Sequence, residues 1–442
     1  MSLAALQDPE SLQGAGRRAY EFASEIFPIC RSITGAGVRQ TLEAIGERIP
    51  LTIHEVPSGT KVFDWEVPLE WNIRDAYIKD PVGRKIVDFT RSNLHVVSYS
   101  TAVRATMSLA ELRPHLHSLP EHPDWIPYRT SYYRQNWGFC LRHTDLVALA
   151  EGRYEVCIDS TLAPGNLTYA ECLLPGETQR EVIVFSHVCH PSLANDNCSG
   201  IAVATELAGA MRDERRRFSY RFVFAPGTIG AITWLALNEG RVANIEQGLV
   251  MGLLGDPAPL TYKRSARANA RVDRAGAHVL TTQNAAGRIE DFSPYGYDER
   301  QFCSPGFNLP VGRLTRSPNG GYPEYHTSAD DLSLIAPQHL ADSLQACARI
   351  FDILDFDHTF VNLSPKCEPQ LGKRGLYRAT GGTGPGQFEH ALLWVLNQSD
   401  GTRSLLDIAD RARIPFGVIH SAAAALVDAG LLSPLSHPEE SA

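Results

Sequence analysis

The chain reads as an α/β protein: a largely parallel sheet with helices on both faces, interrupted by a β-rich insertion and closed by a winged-helix unit. Three observations carry that expectation. Between about 127 and 254, apolar runs of strand length alternate with helical patterns. Residues 52–125 instead carry short alternating strands punctuated by Pro and Gly. Beyond 371, three helical segments precede a short apolar tail. The boundaries expected are 1–51 with 126–370 for the α/β domain, 52–125 for the insertion and 371–442 for the winged helix.

Taken in order, residues 14–48 predict two helices. Ala19, Phe22, Ala23, Ile26 and Phe27 recur at helical spacing, as do Val38, Leu42, Ile45 and Ile49. The insertion offers strands at Val62–Val67, Trp71–Ile78, Lys85–Phe89 and His95–Tyr99. The α/β part offers strands at Tyr154–Ile158, Leu167–Leu173, Glu181–Phe185, Tyr220–Ala225 and Gln247–Leu254. Helices are expected over 199–212 and 229–239. The C-terminal helices are Gln387–Asn397, Ser404–Ala412 and Pro415–Ala429, with a strand starting at Gly430.

The bulk numbers narrow the function. With 442 residues the chain suggests two or three domains. A net charge of −9 argues against a general binder of nucleic acid or anionic membrane. The winged-helix segment balances its charges and lacks a phosphate-neutralising surface, so packing or dimerisation into a homo-oligomer is expected of it rather than DNA reading. No apolar run approaches the roughly 20 residues that span a bilayer. The first residues lack the basic and apolar regions of a signal peptide, which predicts a cytoplasmic protein. Nine cysteines without a spacing pattern read as reduced thiols.

Chemistry concentrates in three loops. Ser186-His187-Val188-Cys189-His190-Pro191 leaves the Glu181–Phe185 strand, and Asn195-Asp196-Asn197-Cys198-Ser199-Gly200 leads into the next helix. Open α/β sheets place their sites at such strand ends. Imidazole and carboxylate are also what zinc prefers. Further candidates are Asp298-Glu299-Arg300-Gln301 and Glu324-Tyr325-His326-Thr327, with Asp330 and Asp331 just beyond. Taken singly, each has a plain structural reading: a solvated histidine, an Asx helix cap at Asp196 and Asn197, a surface ion pair at Asp298 to Arg300. Their joint occurrence after apolar runs favours a metal centre.

In this order His187, Asp196-Asn197 with Ser199-Gly200, and His326-Thr327 resemble the zinc aminopeptidases of the bacterial leucyl aminopeptidase type. The fuller motifs resemble a bacterial aminopeptidase-like family of polysaccharide and natural-product gene neighbourhoods, over nearly the whole chain. The resemblance implies a phosphorylase/hydrolase-type sheet and a zinc site. His187, Asp196 and Asp298 would hold one zinc ion, and Asp196 would bridge to a second where one is present. His326 would bind that second metal or lie beside the reaction centre. Cys189 and His190 would stand behind the ligands, and Asp331 would orient His326. The Asp196–Asn197 peptide is expected to be cis, as in the aminopeptidases.

One segment departs from the family pattern. Ala225-Pro226-Gly227-Thr228-Ile229-Gly230 stands where the aminopeptidases carry Glu-Glu. Gly227 falls where the general base belongs and Thr228 where the second metal's carboxylate belongs. One zinc rather than two is therefore expected. Glu324 or Glu299 is a candidate substitute base, and the substrate itself could supply one. Cys189 and Cys198 are alternative soft ligands. Arg31 and Arg300 are candidates for a substrate carboxylate, because the planar guanidinium suits it. Tyr133 and Tyr322 are candidates for substrate contact, and Ser317–Tyr322 for a lid. The sequence thus points to a hydrolase of a peptide or aminoacyl amide, probed against a non-catalytic, zinc-stabilised binding protein and a ligand-sensing DNA regulator.

Overall fold

The computed structural model describes residues 3–283, 286–376 and 386–435. Its centre is an eight-stranded mixed sheet. In chain order the strands are β1 (Thr52–Pro57), β2 (Asn166–Leu174), β3 (Glu181–His187), β4 (Ser219–Ala225), β5 (Ile245–Met251), β6 (Thr261–Lys263), β7 (Arg288–Glu290) and β8 (Val311–Thr315). Across the sheet they run β1-β2-β4-β3-β5-β8-β6-β7. The inner strands β4, β3, β5 and β8 are parallel, and antiparallel pairs flank them. Parallel strands covered on both faces read as continuous apolar runs, as β3 and β4 do.

Successive side chains point to opposite faces of a strand. Val182 and Val184 join one core, while Ile183 and Phe185 join the other. The first core is covered by α1 (Pro9–Ile26), α2 (Ala36–Gly46), α3 (Gly200–Met211), α5 (Arg271–Gln283) and α7 (Pro337–Phe356). The second is covered by α4 (Ile229–Leu237), the short α6 (Glu299–Phe302) and part of the insertion. The two ends of β3 do different work. At its start Glu181 binds the buried Arg221 guanidinium through both oxygens, at 2.6 and 2.8 Å. At its end stands His187.

The insertion differs from expectation at both boundaries. Thr52–Pro57 is the edge strand of the main sheet, antiparallel to β2. The separate four-stranded sheet runs in the order Lys85–Asp88, Glu70–Lys79, Arg153–Ala163, Val103–Ser108. It therefore extends past 125, and Tyr154–Ile158 belongs to it because the long strand Arg153–Ala163 pairs with Glu70–Lys79 on one side and Val103–Ser108 on the other. His95–Tyr99 is an irregular segment following a short turn.

The C-terminal unit also begins earlier than 371. Thr359–Asn362 pairs with Asp400–Ser404 and with Leu432–Pro434. Around this three-stranded sheet pack α8 (Gln387–Gln398), α9 (Leu405–Ala412) and α10 (Phe416–Asp428). Residues 377–385 and 436–442 of the expected unit lie outside the described residues. His278 of α5 joins the unit to the sheet domain. Its Nε2 accepts from the Phe416 backbone N–H at 3.1 Å, so its Nδ1–H donates to Asp410, at 2.7 Å.

Candidate metal centre

Three loops meet at the C-terminal ends of β3, β4 and β5. The decisive local structure is Ala194–Ser199, a single irregular turn containing the cis Asp196–Asn197 peptide. Asn197 locks it to β3: its side-chain amide donates to Ser186 Oγ at 3.0 Å and to the His187 carbonyl at 2.9 Å. Asp330 locks it from the other side, accepting the backbone N–H groups of Asn195 at 2.6 Å and Asp196 at 3.0 Å.

The turn aims the fully buried Asp196 carboxylate at three imidazoles. Its Oδ1 lies 2.9 Å from His187 Nε2 and 3.1 Å from His190 Nδ1, and its Oδ2 lies 3.1 Å from His326 Nε2. The Tyr297 hydroxyl donates to Oδ1 at 2.7 Å, and the Tyr297 ring stacks on His187 with centroids 4.5 Å apart. Burial alone would raise the Asp196 pKa. The charge of His190 and the hydrogen bonds from His187, His190 and His326 outweigh it and hold the carboxyl well below its usual range.

Asp298 stands beside this group. Its Oδ1 accepts the Thr228 backbone N–H at 2.7 Å, while its buried Oδ2 has no hydrogen-bond partner. Burial, with Glu299 adding to it, pushes its pKa up to about 7. Thr228 thus meets Asp298 through its main chain, at a φ of 60° that a β-branched residue seldom adopts. Gly227 lies where the sequence places it. A Cβ there would sit 3.5 Å from Cys189 Sγ, 3.7 Å from His187 Cβ and 3.8 Å from Asp298 Oδ2. These are ordinary contacts, so a Cβ fits at this position, directed toward the centre.

The structure brings His187, Asp196 and His326 together, with Asp298 adjoining. It rearranges several other expected residues. His190 faces the Asp196 carboxylate directly instead of standing behind the other ligands, so that His187, His190 and Asp196 offer three ligand atoms within 4.8 Å of one another. Cys189 Sγ accepts the Gly227 N–H at 3.3 Å, which leaves the buried Nδ1 of His187 without a partner. Asp331 accepts from the Ser333 N–H and hydroxyl at 2.8 and 2.6 Å, so it holds a turn instead of orienting His326, while its neighbour Asp330 backs the turn that carries Asp196.

Arg31 is buried and its donors go to the carbonyls of His190 and Ile26 and to Cys198 Sγ. It is therefore a brace beneath the centre, not a free fork for substrate, and Cys198 is held by it. Arg300 lowers the Asp298 pKa through its charge, and its buried Nε has no partner. Glu299 is committed to Lys263, at 2.9 Å, which also binds the Ser293 and Tyr295 carbonyls and so secures the loop before Tyr297. The Glu324 carbonyl accepts from Thr327, and no contact ties its carboxylate to Asp196. Tyr322 donates to Asp330 at 3.2 Å, and Ser317 is tied to Asp256, which anchors both ends of the expected lid. Tyr133 stays exposed outside the centre.

Sequence reasoning missed Tyr297, and it named Asp330 only within its loop, giving the positioning role to Asp331. Each is adjacent in sequence to a residue that was singled out, and only the fold decides which neighbour points inward.

A family described as a domain of unknown function (DUF4910) matches residues 20–357. The chain belongs to that family. A winged helix-turn-helix family matches residues 358–434. A relative from Clostridium acetobutylicum is 50% identical over 418 residues, covering 94% of this chain and 96% of its own. It is provisionally described as a polysaccharide biosynthesis protein with an aminopeptidase-like domain. A crystal structure from the same species, provisionally described as a peptidase, is 47% identical with a TM-score of 0.92, over 96% of this chain and 98% of that one. A zinc aminopeptidase from Bacillus subtilis shares the fold at 12% identity, with a TM-score of 0.58 over 77% of this chain and 95% of its own. Family membership thus carries an aminopeptidase-like α/β domain joined to a winged helix.

Proposed function

We propose that the chain is a zinc-dependent hydrolase of a peptide or aminoacyl amide bond, working in a biosynthetic pathway. One observation carries this reading: three imidazoles converge on one buried carboxylate at the strand ends of an aminopeptidase-like sheet. The donor set fits zinc, which takes imidazole nitrogen and carboxylate oxygen. The buried Asp298 Oδ2, which has no hydrogen-bond partner, is also what a bound cation would satisfy.

His187, His190 and Asp196 would hold the ion, with Asp298 and His326 completing the set. The metal would polarise the amide carbonyl and make a bound water acidic. The chain's own residues prepare that chemistry. Tyr297 fixes His187 by stacking and Asp196 by its hydroxyl. Asp330 and Asn197 fix the turn that aims Asp196. A single ion suits the residues better than two, since Thr228 gives its main chain to Asp298 and supplies no carboxylate.

Gly227 supports a second reading, a zinc-stabilised binding or assembly protein without hydrolysis. Positioned proton transfer is worth roughly 10²–10⁴ in rate. Gly227→Glu should therefore raise turnover of aminoacyl and N-acyl test amides by about that factor if the rest of the centre is intact. Metal analysis should find zinc in the wild type and a loss of it in His187→Ala. Zinc content unchanged in that variant would refute the ligand assignment. Inactivity of both forms across the amide panel would favour the binding reading.

A further inference from the structure

Aromatic rings that serve neither core line the rim beside the centre. The hairpin Lys61–Val62/Trp65–Glu66 is pinned by Val62, wholly buried in the core that also holds Ile229 and Cys189. At its tip Phe63 and Trp65 are 53% and 38% exposed. Tyr133, 57% exposed, meets Trp65 edge to face at 5.2 Å between centroids. Large apolar side chains are seldom grouped in water without a partner.

From Tyr133 the rings lead inward. Its neighbour Tyr132 lies 6.3 Å away, and the Tyr132 and Tyr128 hydroxyls are 2.5 Å apart. The Tyr128 ring then packs on His190 at 5.4 Å and His326 at 5.1 Å. Ring contacts thus run from the rim through the buried Tyr128 to the metal centre. A cavity of about 370 Å³ lies against Tyr132 and Tyr133, with Glu66, Ser131, Arg134 and Gln135 in its lining beside the apolar Val67 and Leu69.

A pyranose ring has an apolar C–H face and a rim of hydroxyls. An exposed aromatic face edged by amide, guanidinium and carboxylate groups meets both requirements at once. Tyr133 with Ser131, Arg134 and Gln135 beside it offers a ring for the C–H face together with donors and acceptors for the hydroxyls, which an apolar peptide side chain would not use.

We propose that Trp65 and Tyr133 form a stacking subsite for a sugar ring, so that the amide presented to His187, His190 and Asp196 is one borne by a sugar. The subsite is a claim about binding; its link to the amide rests on the hydrolase reading above.

Saturation-transfer NMR with the full chain tests it, using methyl N-acetylglucosaminide and di-N-acetylchitobiose as probes and N-acetyl-leucinamide as the non-sugar control. The wild type should transfer saturation to the sugar's ring C–H protons. Trp65→Ala and Tyr133→Ala should bind the sugars about tenfold more weakly, the scale of one lost aromatic contact. Trp65→Phe should recover most of the affinity, with zinc content and thermal midpoint unchanged in all three. Absence of sugar binding by the wild type, or equal binding by the alanine variants, would overturn the proposal. Because binding is read without turnover, a failed hydrolase assay leaves this result standing. Conversely, equal cleavage of an unglycosylated amide by wild type and Trp65→Ala, with no sugar binding, removes the subsite and keeps the hydrolase.

Discussion

Individual residues divide sharply into those whose chemistry was legible and those whose setting decided. His187, Asp196 and His326 could be singled out because, although each alone has a plain structural reading, together and in that order they resemble the zinc aminopeptidases. Arg31 reads from sequence as a candidate for a substrate carboxylate and is instead a brace, since a guanidinium that holds carbonyls and one that binds substrate look alike in a turn. Asp330 and Asp331 are the clearest case: two identical side chains, one accepting the backbone of the metal turn and one accepting from Ser333. Asp330→Ala should therefore cost about 1–3 kcal/mol by leaving two buried N–H groups without an acceptor. Asp331→Ala should cost less and leave zinc content unchanged. Thermal unfolding and metal analysis of the two variants check this, and equal effects would contradict it.

At the scale of elements, strong periodicity was legible and pairing was not. The apolar runs of β3, β4 and β5 announce buried parallel strands. Short edge strands such as Thr52–Pro57 have exposed, polar sequences, and only their partner in the sheet makes them strands. Tyr154–Ile158 is apolar enough to read as a strand, but which sheet it joins is decided by its pairing with Glu70–Lys79 and Val103–Ser108. Glu70, at the start of the insertion strand Glu70–Lys79, is where the two sheets are tied. It accepts from Arg39 of α2, from the Asn166 N–H at 2.9 Å and from Asn72. Burial raises its pKa, but these hydrogen bonds prevail and lower it to about 2. A carboxyl depressed in the folded state stabilises above its unfolded pKa and loses that stabilisation as pH falls through the folded one. Glu70→Gln should thus be less stable than wild type at pH 6 by about 1 kcal/mol after solvent screening. The gap should close between about pH 4.5 and 2, as denaturant titrations at each pH would show.

For the whole molecule, the winged helix was legible as a unit, while its attachment was not. In helix-turn-helix readers the N-terminal residues of the recognition helix enter the major groove. Here α10, the third helix of the unit, begins at Phe416, whose N–H is given to His278 of the sheet domain. Arg274 adds contacts to Asp407 and Asp410 at 2.8 and 3.2 Å. The end of the helix that would read bases is docked on its own chain. Gel shifts with random duplex DNA at low salt should therefore show no retardation, and a salt-sensitive shift would argue for a regulator. Among the described residues no helix is long and apolar enough to cross a membrane.

The vacancy at Gly227 has a consequence for chemical rescue. A Cβ there would make only ordinary contacts, from 3.5 Å outward, so a small carboxylate supplied in solution tests whether the centre accepts the base the chain lacks. Formate should accelerate amide cleavage by the wild type in a saturable way, and should have no such effect on Gly227→Glu, whose own carboxylate fills the slot. A rate independent of formate would mean that the proton acceptor already arrives with the substrate or sits elsewhere in the centre.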